Sequence, residues 1–303
     1  MTNSDYRGDI VDSHHHVWRK QDMDWLSGPM VPRIFGPYEP IKRDYLMDEY
    51  VADATSAGIV ESVYVQANWP LEKVVDEVRW LDRARGETGW PAAVVSCTDL
   101  FNDDAVDVMR EQRATSSLVR GTRLQLHWHE RPEFRFASAP DRMNDPTFRK
   151  NLSALPDLGW LFELQVFAPQ MRDAARLVAD NPDTQFVLVH AGMLVSQDPA
   201  EVEEWRTGMR ELAALPNVVV KLTGQGTFMH RVDTGLIGFV AREVIELFGA
   251  DRAMFGTNFP VEKIWTEMPP LVDAWRDALG SLSADEQHAV FAGNARRMYG
   301  LTD

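Results

Sequence analysis

The sequence predicts a (β/α)₈ barrel, the TIM-barrel fold. Eight short β-branched runs alternate with stretches of helical periodicity between residues 10 and 279. No linker, low-complexity tract or change of composition interrupts them, so residues 1–303 read as one barrel domain. A length of 303 residues suits one such barrel with insertions. A doubly wound parallel sheet shares the same periodicity and is the alternative fold.

In order, the expected strands are 10–11, 60–66, 92–97, 119–126, 160–166, 185–190, 218–222 and 252–256. The helices between them are expected at 44–58, 72–85, 104–115, 146–155, 169–180, 199–215, 234–248 and 268–279. In the first of these, Leu46, Tyr50, Val51 and Ala54 recur at three- and four-residue spacing, and Gly58 ends it. An extra C-terminal helix over 283–299 opens on a capping box, Ser283 with Glu286, and is expected to close the barrel bottom or pack outside it. The polar, Pro- and Arg-rich segment 127–146 reads as an elaborated loop, as does 25–38, and both are expected to shape specificity.

Hydrophobic residues make up 45% of the chain and charged residues 25%, enough for a large core and against disorder. Acidic residues outnumber basic ones by 46 to 31, giving a net charge of −15. Such a surface repels nucleic acid and anionic membranes, which leaves a small molecule as the expected partner, with a homodimer as a further possibility. The polar stretch 1–9 lacks the apolar core of a signal peptide and no run reaches transmembrane length, so a cytoplasmic protein is expected. The single cysteine, Cys97, ends an apolar run and reads as a buried small hydrophobe.

The functional signal is the placement of histidine. Of eight histidines, seven fall at or just after expected strand ends: His14, His15, His16, His127, His129, His190 and His230. In a barrel those positions converge on one rim. Residues two apart on a strand share a side, so His14 and His16 can enter the mouth together and grip one metal ion while His15 faces the helices. His127 and His129 form a second such pair, as further ligands or substrate donors; His230 is a weaker candidate. Arg123 has the fork to clamp a carboxylate or lactone oxygen, and Lys221 is a buried strand cation that needs a partner or a task. Gln66, Asn68 and Gln165 end strands as hydrogen-bonding groups. Trp18, Trp69, Trp128, Phe259 and Trp265 flank strand ends and can wall an apolar pocket.

The run Asp12-Ser13-His14-His15-His16-Val17-Trp18 resembles the opening motif of the amidohydrolase-2 family of TIM-barrel hydrolases, which contains sugar lactonases such as fuconolactonase, and pyrone-dicarboxylate lactonase. Blocks at 119–123, 162–166, 187–190, 218–224 and 254–260 follow in the family's order. The resemblance implies a divalent metal, zinc first, on His14, His16 and His190, although the family also has metal-free members. It implies catalytic work by those histidines and by the residue at 258. The family carries aspartate there as ligand and general base. This chain carries Asn258, which can orient water or a carbonyl but cannot take a proton. Glu163 and Glu262 are nearby carboxylates that can stand in.

The expected function is hydrolysis of a lactone or carboxylic ester of a small carboxylated or sugar-derived substrate, with His14, His16, His190 and Asn258 catalytic. Arg123, Gln66, His127, His129, Gln165 and Lys221 would bind substrate. Two alternatives remain: a metal-dependent non-oxidative decarboxylase, and a binding homologue that has lost catalysis through Asn258.

Overall fold

In the computed structural model, which describes residues 6–301, eight parallel strands stand side by side in sequence order. They are β1 (Ile10–His15), β2 (Ile59–Val65), β3 (Ala93–Ser96), β4 (Val119–Thr122), β5 (Leu161–Leu164), β6 (Phe186–Leu188), β7 (Val218–Leu222) and β8 (Ala253–Phe255). The ring is drawn shut just past the strand ends. There the Asn258 amide donates to the His14 carbonyl and the His16 amide to the Phe259 carbonyl, both at 2.7 Å. This is the expected TIM barrel, nearly closed.

The helices fall where periodicity places them, at Met47–Ser56, Val74–Thr88, Ala105–Thr115, Pro146–Leu152, Met171–Ala179, Pro199–Ala213, Thr234–Phe248 and Met268–Ala278. Side chains start several of them: Asp145, Asp198 and Asp233 each accept backbone N–H groups of the first turn. The helix expected over 146–155 stops at Leu152, and a separate turn of helix, Leu155–Leu158, carries Pro156 near its start, where a missing N–H costs nothing. The expected 283–299 helix keeps its capping box but opens into a π-helical turn at Ala289–Gly293 before resuming at Asn294–Tyr299.

Three strand boundaries differ in ways that build the site. β1 is longer than expected and carries His14 and His15 inside it, with a register irregularity between Asp12 and His15. β4 ends at Thr122, so 123–126 leave the ladder. β6 ends at Leu188, and His190 sits beyond it in left-handed backbone, φ 55°, as do Ala191 and Met193.

Valines from several strands fill the barrel with Leu161 and Met254, and Ala292, Ala295 and Tyr299 of the last helix pack into the same cluster. The terminal helix therefore plugs the bottom. At Gly121 a Cβ would stand 2.6 Å from the Leu161 carbonyl, so only glycine lets β4 and β5 approach. Tyr299 is fully buried and donates its hydroxyl to Glu163 on β5 at 2.7 Å. Cys97 is buried and free, its thiol pushed up to about 12 by burial, which suits a packing role. Among the described residues no helix is long and apolar enough to cross a membrane. The expectation of no leader at 1–9 rests partly on residues 1–5, which lie outside those described.

Tyr299→Phe should lower the urea midpoint by an amount corresponding to about 1–3 kcal/mol, because it removes one of the two donors to a buried Glu163 oxygen and leaves that oxygen to Lys221 alone. Tyr299→Ala should cost about 3–5 kcal/mol by adding a cavity. A Tyr299→Phe midpoint equal to the parent's, at unchanged slope, would contradict that assignment.

Candidate active site

β1 delivers the histidines on alternating sides. His15 points outward, stacked on Tyr50 with centroids 3.6 Å apart and bonded to the Ser62 hydroxyl at 2.9 Å. His14 points inward, its ring 5.1 Å from His16 and 4.7 Å from His190. Asp12 anchors this arrangement from behind. Its carboxylate accepts from the His14 and Thr257 amides, the Thr257 hydroxyl and the Tyr50 hydroxyl at 2.6–3.0 Å.

The other nitrogens fix the rings. His16 Nδ1 lies 2.6 Å from the Val65 carbonyl, which can only accept, so Nδ1 carries the proton and Nε2 is left basic. His190 Nδ1 lies 2.5 Å from the Thr223 hydroxyl. Its Nδ1 edge also faces Gly224, where a Cβ would come within 2.6 Å of it. Burial and the neighbouring Arg123 hold the His16 imidazole down at about 3, and the same two causes lower His190 well below the usual histidine range. Both are neutral at pH 7.

A cavity of about 530 Å³ opens above them. Of the expected residues, His16, His190, Arg123, Gln165, Asn68 and Asn258 line it, with Trp18. Arg123 is buried; it donates to the Gln66 carbonyl at 2.6 Å and to the Gln165 amide oxygen at 3.3 Å, and its Nε has no partner.

Several expected contributors sit elsewhere. His14 lies just beneath the wall, wholly buried. Lys221 does not reach the cavity: burial brings its ammonium down to about 8, and it is paired with Glu163 at 2.5 Å and stands 3.4 Å from His14 Nδ1. Lys221 thus supports His14 and is not placed to bind substrate. Gln66 is turned to the Arg123 carbonyl and the Asn68 amide, supporting Arg123 rather than facing the cavity. His127 is wedged against Phe136 and Phe167. His129 accepts from the Arg131 amide and borders a separate depression with Glu201 and Glu204. His127 is thus buried behind the cavity, and of the two only His129 turns towards the surface. His230 packs on Trp265 and against Gly36. Trp69, Trp128, Phe259 and Trp265 pack under the loops and do not line the cavity, whose aromatic wall is Trp18, Trp25 and Phe35.

Sequence reasoning missed Arg33, Gln125 and Thr227, which also line the cavity. Arg33 belongs to the 25–38 loop expected to shape specificity, but nothing in its spacing points inward.

Glu262 stands behind Asn258. It is buried, accepts from the Trp265 indole at 2.8 Å, and hydrogen-bonds the Asn258 side chain. Burial pushes its carboxyl up to about 8. Asn258 also hydrogen-bonds His16. A carboxamide has a donor and an acceptor to offer these two neighbours; an aspartate would set two buried carboxyls face to face, sharing one proton.

For a metal, the buried, partnerless Nε2 of His14 is one atom in favour. The donor set is of the right kind, since three imidazoles can hold zinc and a bond such as His16 Nδ1 to the Val65 carbonyl is usual for a ligand histidine; what is missing is a carboxylate in the cavity wall and a common point for the ligand atoms. Among the described residues no three His, Cys, Asp or Glu side chains are placed to hold one ion. The expected His14, His16 and His190 zinc centre is therefore not assembled by this arrangement.

The sequence pattern of the amidohydrolase family matches residues 11–301. The chain belongs to the amidohydrolase family. This amidohydrolase is 30% identical to an uncharacterized protein, y4mH, of Sinorhizobium fredii over 292 residues, 96% of this chain and 98% of that one. It is 29% identical to an L-fucono-1,5-lactonase of Burkholderia multivorans over 306 residues, 97% and 96% of the two chains. A crystal structure of a Burkholderia multivorans amidohydrolase with bound zinc superposes with a TM-score of 0.82 at 28% identity, covering 97% of this chain and all of that one. This amidohydrolase is accordingly an enzyme, a hydrolase.

Folded Glu262 keeps its proton up to about pH 8 against the ordinary 4.5, so its contribution to stability is full below 4.5 and drains away as pH rises through 8. The parent should lose more unfolding free energy between pH 5 and pH 9 than Glu262→Gln does. Equal losses in the two proteins, followed by urea titration, would show that Glu262 is not buried as described.

Proposed function

We propose that this amidohydrolase opens a lactone, or cleaves a related carboxylic ester, by attack of water on the carbonyl. One observation carries the reading: a buried guanidinium, Arg123, without a carboxylate partner, faces the same cavity as two neutral imidazoles, His16 and His190. A cation fixed before substrate arrives suits a carbonyl oxygen that becomes negative in the transition state. A neutral imidazole with a free nitrogen suits a water that must lose a proton. The similarity to a fuconolactonase supports lactone chemistry.

In the tautomer that donates Nδ1–H to the Thr223 hydroxyl, His190 has Nε2 as its basic atom. Water attacks the carbonyl carbon, its proton passes to His190, and the carbonyl electrons move onto the oxygen beside Arg123. The tetrahedral intermediate collapses, the ring C–O bond breaks, and the alkoxide recovers the proton from His190. The product is a hydroxy acid. The low basicity of free His190 comes first from burial and next from Arg123. An oxyanion lying against that guanidinium cancels its field, so His190 becomes a stronger base as the reaction advances. Asn258, held by Glu262 and His16, offers its amide to the water or the substrate carbonyl. No step is routed through an ion, because the side chains present do not form a site for one. Decarboxylation of an aromatic acid is the second function class, and it would release carbon dioxide instead of a ring-opened acid.

On a panel of sugar and carboxylated lactones, Arg123→Gln and His190→Gln should each lower kcat/KM by about 10²–10³-fold. Because His16 and His190 are neutral well below pH 6, kcat/KM should stay level from pH 7 to pH 6, below the range in which Glu262 and Lys221 titrate. Dialysis against a chelator should leave the rate within about threefold, as expected for proton transfer without a Lewis acid. A larger loss, restored by zinc, would show that a metal does the polarising. Carbon dioxide release without ring opening would favour the decarboxylase.

A further inference from the structure

The cavity wall contains two arginines, Arg33 and Arg123, and no aspartate or glutamate, in a chain of net charge −15. Most arginines of the molecule that form ion pairs do so with a carboxylate of an adjacent turn or helix, and neither cavity arginine is in any such pair among the described residues. Both have a buried Nε with no hydrogen-bond partner. Arg123 is buried, and a desolvated guanidinium without an anion is a costly arrangement unless an anion arrives; Arg33 is partly exposed, so an anion can reach it from the mouth of the cavity.

The two differ in position. Arg123 is held at the cavity floor by Gln66 and Gln165, beside His190. Arg33 comes from the loop over the mouth, and its group lies over the rings of Trp25 and Tyr38, 4.9 and 5.9 Å from their centroids. Those rings are fixed in turn. The Trp25 indole donates to the Ala67 carbonyl at the end of β2, and the Tyr38 hydroxyl meets the backbone of Trp25 and Val31. At Gly36, φ 69°, the loop seats against the His230 ring, where a Cβ would come within 2.7 Å. The loop thus presents a cation in a set plane.

We infer that Arg33 is a specificity residue that receives a carboxylate remote from the scissile carbonyl, so that the substrate is a lactone or ester bearing a free carboxylate. The inference rests on the hydrolytic reading for the word lactone, and on the cavity alone for the carboxylate. Arg123 takes the reacting carbonyl and Arg33 the spectator anion, which leaves the two cations with separate tasks. Binding such an anion also lessens the electrostatic penalty on protonating the imidazoles nearby.

The test has a kinetic and an equilibrium arm. The kinetic arm compares a hexono-1,4-lactone with the hexaro-1,4-lactone that has a carboxylate in place of the terminal hydroxymethyl. The parent should prefer the hexaro-lactone, and Arg33→Gln should erase at least about 30-fold of that preference, chiefly in KM, with Arg33→Lys between the two. Arg131→Gln, which removes a cation from a different loop, should leave the preference intact. The equilibrium arm measures binding of galactarate, an unreactive hexaric acid, by calorimetry. Its affinity should fall by about tenfold or more in Arg33→Gln and weaken with added salt. Galactarate binding that is dependent on Arg33, with neither lactone hydrolysed, upholds the carboxylate site and overturns the lactonase reading. Hydrolysis of both lactones with a preference indifferent to Arg33, or galactarate binding that is absent or unchanged by the substitution, overturns the proposal and leaves the lactonase reading standing.

Discussion

The site depends on one buried carboxylate. Asp12 faces away from the cavity and touches none of the groups that line it directly, yet its four hydrogen bonds tie β1 to the segment after β8 and to the first main helix. That junction is where the ring of strands must be closed without a regular ladder. Holding Thr257 in place fixes the next residue, Asn258, whose amide bonds the His14 carbonyl. A fully buried charge is tolerable only when saturated with donors, and here the donors are the parts of the backbone that must be aligned. Fold closure and site geometry are therefore one problem with one solution.

Much of this was legible in the sequence, for identifiable reasons. The barrel is legible because the strands are short buried runs, mostly rich in valine, and period 3.6 follows each one. The helix at Thr234–Phe248 agrees to the residue, since Asp233 caps it and Gly249 ends it. His14, His16 and the outward His15 follow from alternation along a strand, which is local. The fates of Lys221, Gln66, His127 and His129 are not local. Lys221 looked like a substrate group because a buried lysine needs a partner, and the partner, Glu163, is 58 positions away on a different strand. The places of His127 and His129 differ from expectation because β4 ends at Thr122, four residues short of the expected 126. Arg33 was invisible, because where a loop side chain points is set by the Trp25 and Tyr38 faces it rests on.

Asn258 has a physical partner in Glu262, a carboxyl that stands behind the cavity wall beside the residue that occupies it. The floor of the cavity is left with a permanent guanidinium and uncharged imidazoles, a setting in which an incoming anion is the natural counterion.

Beneath the histidines runs a column of contacts: Tyr299 on Glu163, Glu163 on Lys221, Lys221 against His14. Its foot belongs to the last helix and its head to the reactive rim. A molecule whose final helix has come away would expose Glu163 to water, release Lys221 from its partner and leave His14 to choose its tautomer unaided. The column lets the rim respond to whether the far end of the barrel has been stoppered, a structural audit that ties catalytic competence to completed assembly.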